Sequence, residues 1–188
     1  MVKQTTLALL ALAASISSHQ ANASYAKGNP LTYVDPSGKV AYVNVSGNNI
    51  TIVLPIVFQG GTWDQQQAMA GAITDAWNGQ FGQYNVQTTV VNGSTLTTPV
   101  NTIQIDPGQS DALGLSRVYG DAMSGKWFAK PTRTCGLDYA HEAGHLMGLG
   151  DHPGTNQIMD DITTTPTVTG DDITSIINSP VNIITHEH

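Results

Sequence analysis

Apolar residues alternate with other positions from Asn49 to Phe58, placing Ile50, Ile52, Leu54, Ile56 and Phe58 on one side. That is the period of a half-buried strand, and Pro55 inside it predicts an edge position or a bulge. Thr62-Trp63-Asp64-Gln65 reads as a capping box opening a helix. Ala70, Ile73, Trp77 and Phe81 follow at helical spacing and mark a core-facing stripe. Tyr84 to Val91 and Asn101 to Ile105 return to strand character across a loop of Gly, Ser, Thr and Pro. Leu115 to Tyr119 and Lys126 to Ala129 suggest a hairpin-like pair around Ser124-Gly125. A second helix is predicted from near Thr134 through Leu137, Ala140 and Leu146 to Gly148. A last helix starts at Thr169, carries Asp171 and Asp172 in its first turn, buries Ile173, Ile176 and Ile177, and stops before Pro180. The tail 181–188, ending His186-Glu187-His188, reads as a frayed terminus. Strands and helices in this order make an α+β protein with no internal repeats and no second domain.

The N-terminus has a different character. Lys3, the short apolar run Leu7 to Ala14 and the small-x-small site Ala21-Asn22-Ala23 predict a signal peptide over 1–23. The run is too short to span a bilayer, so a membrane anchor is not expected, and the mature chain would be secreted or periplasmic. Cleavage near Ala23 leaves 165 residues, enough for one compact domain. Residues 24–48, rich in Gly, Asn, Ser and Pro, read as an exposed lead-in, with the folded domain over 49–188. Loss of Lys3 leaves six Lys+Arg against fourteen Asp+Glu, a net charge of −8. Such a chain is not built to neutralise phosphates, which argues against nucleic acid as a partner. Cys135 is the only cysteine, so no internal disulfide can form.

Chemistry concentrates in His141-Glu142-Ala143-Gly144-His145 and the residues after it. Histidines four apart on a helix project from one face and can grip one zinc ion. Glu142 follows the first of them, where it can serve as general base towards a zinc-activated water. Gly148 lets the chain turn sharply out of the helix and bring Asp151 or His152 round to the metal. Asp151 gives a His₂Asp donor set; His152 is the alternative third ligand, and Gly150 would absorb the extra residue.

The pattern HExxHxxGxxD, with Met159 eight residues past Asp151, resembles the snapalysin-like branch of the metzincin zinc peptidases. In that branch an Asp replaces the third His of HExxHxxGxxH, and the next residue is His. Residue-level likeness covers 141–159; the order of elements extends it to roughly 49–178. The resemblance implies a twisted, mostly parallel sheet of about five strands, a long backing helix, a zinc-binding helix, a Met-turn and a C-terminal helix. Met159 would pack beneath the metal without binding it. The implied activity is hydrolysis of internal peptide bonds in a protein or peptide substrate, with Zn²⁺ as cofactor and Glu142 as general base. Substrate would lie as an added strand along an edge drawn from around Leu115 to Lys130. Some metzincins carry a Tyr two residues after the Met; Asp161 stands there instead. The approximately 25 residues between the cleavage site and the first strand are too few for a folded prodomain. Cys135, six before His141, is badly placed for a cysteine switch. The enzyme would be active on export or be held by a separate protein inhibitor. The variable loop 160–168, with Thr163, Thr164 and Thr165, would shape the specificity pocket.

A second resemblance concerns Gly28-Asn29-Pro30-Leu31-Thr32-Tyr33-Val34-Asp35-Pro36-Ser37-Gly38-Lys39. It is similar to the NPLxYVDPxG signature closing the core of Rhs-type polymorphic toxins, just before their toxin domain. A leader stands where the repeat shell of those proteins would be. Two alternatives to a degradative protease therefore stay open: an Rhs-derived secreted effector protease, and a non-catalytic zinc-stabilised binding module.

Overall fold

Gly47, with φ of +59°, turns the chain tightly between β1 (Tyr42–Ser46) and β2 (Asn49–Gln59). In a two-residue hairpin loop a positive φ at this position falls to glycine, which has no Cβ to clash. The computed structural model describes residues 41–95, 100–109, 116–120, 123–130, 137–160 and 167–187. All belong to one compact unit, Pro36–His188. The predicted leader, the 28–39 segment, Thr134, Cys135, Asp161, Thr163, Thr164 and Thr165 lie outside the described residues.

Beyond β2 come α1 (Trp63–Ala76), β3 (Gly79–Phe81), β4 (Tyr84–Asn92) and a 3₁₀ turn over Gly93–Thr95. Then follow β5 (Asn101–Gln109), β6 (Arg117–Val118), β7 (Ser124–Lys130), α2 (Leu137–Leu146), α3 (Gly170–Asn178) and β8 (Ile183–His186). The strands form one mixed, eight-stranded sheet. Its central path is β3-β4-β2-β5-β7-β6, with β1 on β2 and β8 on β1. β4, β2, β5 and β7 run parallel, and β6 is antiparallel to β7. The α+β class stands, but the sheet is mixed and has eight strands, where the family resemblance implied about five, mostly parallel: β1, β3 and β6 each pair antiparallel with a neighbour.

Pro55 sits in a central strand rather than at an edge. One side of β2 pairs with β4 over Asn49–Ile56, while the other is shared, with β1 up to Val53 and with β5 from Ile56. Pro55 falls in the gap between those two partners. Its carbonyl accepts from Asn101 Nδ2 at 2.9 Å, so its missing N–H costs no ladder bond.

The same strand carries the core. Ile50, Ile52, Leu54 and Ile56 are at most 1% exposed. They join Ile103 and Ile105 of β5, Trp127 of β7, and Met69 and Ile73 of α1 in a single cluster. Complete burial of each such side chain is worth ~1.5–3 kcal/mol. The Thr62 box opens α1 as expected: Gln65 N–H donates to Thr62 Oγ1 at 3.3 Å and Thr62 N–H to Gln65 Oε1 at 2.8 Å. The α1 helix ends at Ala76, so Trp77 closes the stripe and Phe81 belongs to β3.

Three further expectations are corrected. The lead-in does not extend to 48, because Ala41 and Val43 are buried and 42–46 is strand. Nor is the tail frayed: β8 pairs in parallel with β1 from Tyr42↔Ile183 to Val45↔His186, and Asn44 Nδ2 donates to Glu187 Oε1 at 2.9 Å. Ser124 and Gly125 do not form the turn of the β6–β7 pair but already belong to β7, with Gly125 opposite Val118. Among the described residues, no helix is long and apolar enough to cross a membrane.

Candidate metal centre

α2 is built for burial on nearly every side. Among its ten residues, only Leu137 and His145 are not buried. Trp77, the C-cap residue of α1, anchors it from below, donating its indole N–H to Ala140 O at 2.9 Å. On the sheet side, Trp127 stacks on Tyr139 with centroids 5.8 Å apart, and Tyr139 Oη donates to Phe128 O at 2.7 Å.

The helix closes at Gly148. Leu149 N–H bonds to Gly144 O at 3.0 Å and Gly148 N–H to His145 O at 3.0 Å. That pair of bonds is a Schellman motif, and Gly148 holds the left-handed position at φ +91°. A side chain there would also run into Ser179 Oγ and lie 2.9 Å from Val181 Cγ2. The reversal brings Asp151 over the face that carries His141 and His145.

One donor atom from each of His141, His145 and Asp151 lies within 4.8 Å of the others, a group able to hold a metal ion. Asp151 Oδ1 is 3.4 Å from His141 Nε2 and 3.3 Å from His145 Nε2. The ring centroids are 4.9 Å apart, with planes at 86°. His152 is not a member of the group: its Nδ1 faces Asp172 Oδ1 of α3 at 4.0 Å. Of the two candidates for the third ligand, Asp151 is the one standing with the histidines.

The fit to a cation can be tested on the rings themselves. His141 Nδ1 is 2.9 Å from Ile158 O, and His145 Nδ1 is 3.0 Å from Leu149 O. A carbonyl can only accept, so each Nδ1 carries its hydrogen. The Nε2 atom of each ring is then the one left to face Asp151 Oδ1. This is the tautomer a metal-binding histidine adopts when its other nitrogen is held from behind. The two separations from Asp151 Oδ1 agree with this: donors ~2.05 Å from a tetrahedral ion stand ~3.3–3.4 Å apart. A charge-assisted hydrogen bond would close to ~2.7–2.9 Å.

Met159 is fully buried beneath α2. Asp160 N–H bonds to Gln157 O at 2.9 Å and closes a turn around Ile158 and Met159. Gly144 opens the space for it, since a Cβ there would overlap Met159 Sδ and lie 3.1 Å from its Cε. The turn serves both arms of the site: Ile158 O holds His141, and Met159 O takes the N–H of His152 at 2.7 Å, just past Asp151. Asn156, at φ +55°, leads into it and donates its N–H to Asp160 Oδ2 at 2.8 Å. Glu142 is 5% exposed and stands ~100° around the helix from His141.

Several supporting groups were not singled out from the sequence. Asn182 Nδ2 lies 2.9 Å from Met147 O and from Ile176 O, joining the ends of α2 and α3. Asp172, expected from the sequence only as a first-turn acid, also completes the Thr169 capping box through Oδ2 and is 1% exposed. The box itself, T-x-x-D, was a readable signal. The carbonyls of Leu149 and Ile158 carry no residue-type signal at all.

No protein-family model matches the chain, and no curated protein matches it significantly.

Proposed function

We propose that the chain is an exported zinc-dependent endopeptidase of metzincin type. The observation that carries this reading is the convergence of His141 Nε2, His145 Nε2 and the Asp151 carboxylate, with Glu142 on the same helix. Separations suited to a tetrahedral N,N,O set favour zinc over ions that prefer six oxygen donors. The element order and the buried Met159 under Gly144 add support, being what the metzincin resemblance implies for the sheet and the Met-turn.

His141, His145 and Asp151 hold the ion, and the Ile158 and Leu149 carbonyls fix the two rings. When bound, a zinc ion supplies Lewis acidity, polarising a carbonyl and lowering the pKa of coordinated water towards ~7. Glu142 accepts the proton of the attacking water and returns it to the amine nitrogen as the peptide bond breaks. Substrate is protein or peptide, and export follows from the predicted leader.

The test pairs zinc content with cleavage of casein and a peptide library by wild type and Glu142→Ala. One zinc in both proteins, with cleavage only by wild type, is the expected result. One zinc with no cleavage by wild type would instead make the chain a zinc-stabilised binding module.

A further inference from the structure

The chain is acidic overall, yet the three Lys and Arg among the described residues, Arg117, Lys126 and Lys130, all lie on β6 and β7. Arg117 and Lys126 are directly opposite in an antiparallel register, so their side chains share one face. Like charges so placed repel. Lys126 is compensated by Asp106 Oδ2 at 2.8 Å, and that ammonium with the Gly108 N–H holds the Asp106 carboxyl below its ordinary range. Arg117 is exposed, and no described carboxylate pairs with it.

β6 is also the end of the sheet's central path, and α2, the helix of the metal centre, packs against it. Tyr119 N–H bonds inward to Ser124 O at 2.8 Å. By strand alternation the N–H and C=O of Val118 then point away from β7, to the side on which no described strand pairs with β6. Val118 itself is partly buried against the core, on the Trp127 face; Arg117 and the 43%-exposed Tyr119 take the other. A peptide residue paired with Val118 therefore has neighbours whose side chains lie on the Arg117 face.

We infer that the β6 edge selects acidic segments, binding an extended peptide through Val118 and reading Asp or Glu beside that residue with Arg117. This rests on the endopeptidase reading for its consequence, substrate choice, but not for its binding test. The prediction opposes bulk charge, since a protein of net charge −7 attracts cationic peptides at long range.

The experiment uses the zinc-supplemented Glu142→Gln protein and three labelled nonapeptides alternating Thr with Glu, Gln or Lys, followed by fluorescence anisotropy. The Glu peptide should bind about threefold tighter than the Gln peptide, the size of one cross-strand ion pair. The Lys peptide should be weakest, and the differences should shrink in high salt. Adding Arg117→Gln should erase the preference and Arg117→Glu should reverse it. A Lys peptide that binds tightest, a preference unmoved by either substitution, or no binding of any peptide overturns the assignment. Intact Glu preference with no cleavage by wild type would sink the peptidase reading while supporting this one.

Discussion

Gly144→Ala probes the packing beneath the candidate metal centre, because two effects of known size oppose each other there. In an open helix interior, alanine in place of glycine stabilises by ~0.5–1 kcal/mol through lower backbone entropy. At 144 the new methyl would overlap Met159 Sδ, lie 3.1 Å from Met159 Cε and 3.3 Å from Trp77 Cζ2. Met159 and Trp77 are both 0% exposed, so neither can swing into solvent. Overpacking of this kind costs ~1–3 kcal/mol, leaving a net loss of about 1 kcal/mol. In a domain of this size that lowers Tm by about 2–4 °C. The displaced turn should also drag the Ile158 carbonyl from His141, weakening metal affinity ~10–100-fold, as losing an orienting partner does. Urea unfolding of the metal-free protein and chelator competition measure the two effects separately. In a Met159→Ala background the clash disappears, and Gly144→Ala should become stabilising. Stabilisation in the Met159 protein, or an equal penalty in both backgrounds, would refute the packing argument.

Other outcomes follow from the same geometry. Glu142→Gln should retain one zinc while losing ~10²–10⁴-fold in turnover, read by metal analysis and peptide hydrolysis. Asp151→Ala should lower zinc affinity by at least ~10–100-fold, whereas His152→Ala should leave stoichiometric metal; the reverse ranking would transfer the third ligand to His152. Gly148→Ala should destabilise by more than ~1 kcal/mol, because the left-handed backbone at φ +91° and the Ser179 contact both resist a Cβ. Zinc at 100 times its Kd should raise unfolding free energy by ~2.7 kcal/mol and a chelator should remove it; a Tm indifferent to both would argue against a folded metal site.

Short-range relations survive translation from sequence to structure because a few neighbouring residues determine them. The i,i+4 spacing of His141 and His145 puts both rings on one helical face whatever surrounds the helix. Thr62 and Thr169 cap with partners three residues away, and Gly148 relieves the left-handed turn by lacking a Cβ. Those signals sufficed for three helices, a pair of candidate ligands and the reversal after them. Pairings between distant segments leave no such trace. β1 and β8 join residues some 141 positions apart, and each strand by itself is short, half-exposed and indistinguishable from a loop until its partner arrives. Asp151 rather than His152 joins the histidines because the Met159 turn captures the His152 backbone, and Met159 is there because Gly144 leaves room. Space, register and the aim of backbone carbonyls are properties of the assembled fold, since each depends on atoms that only long-range packing brings together.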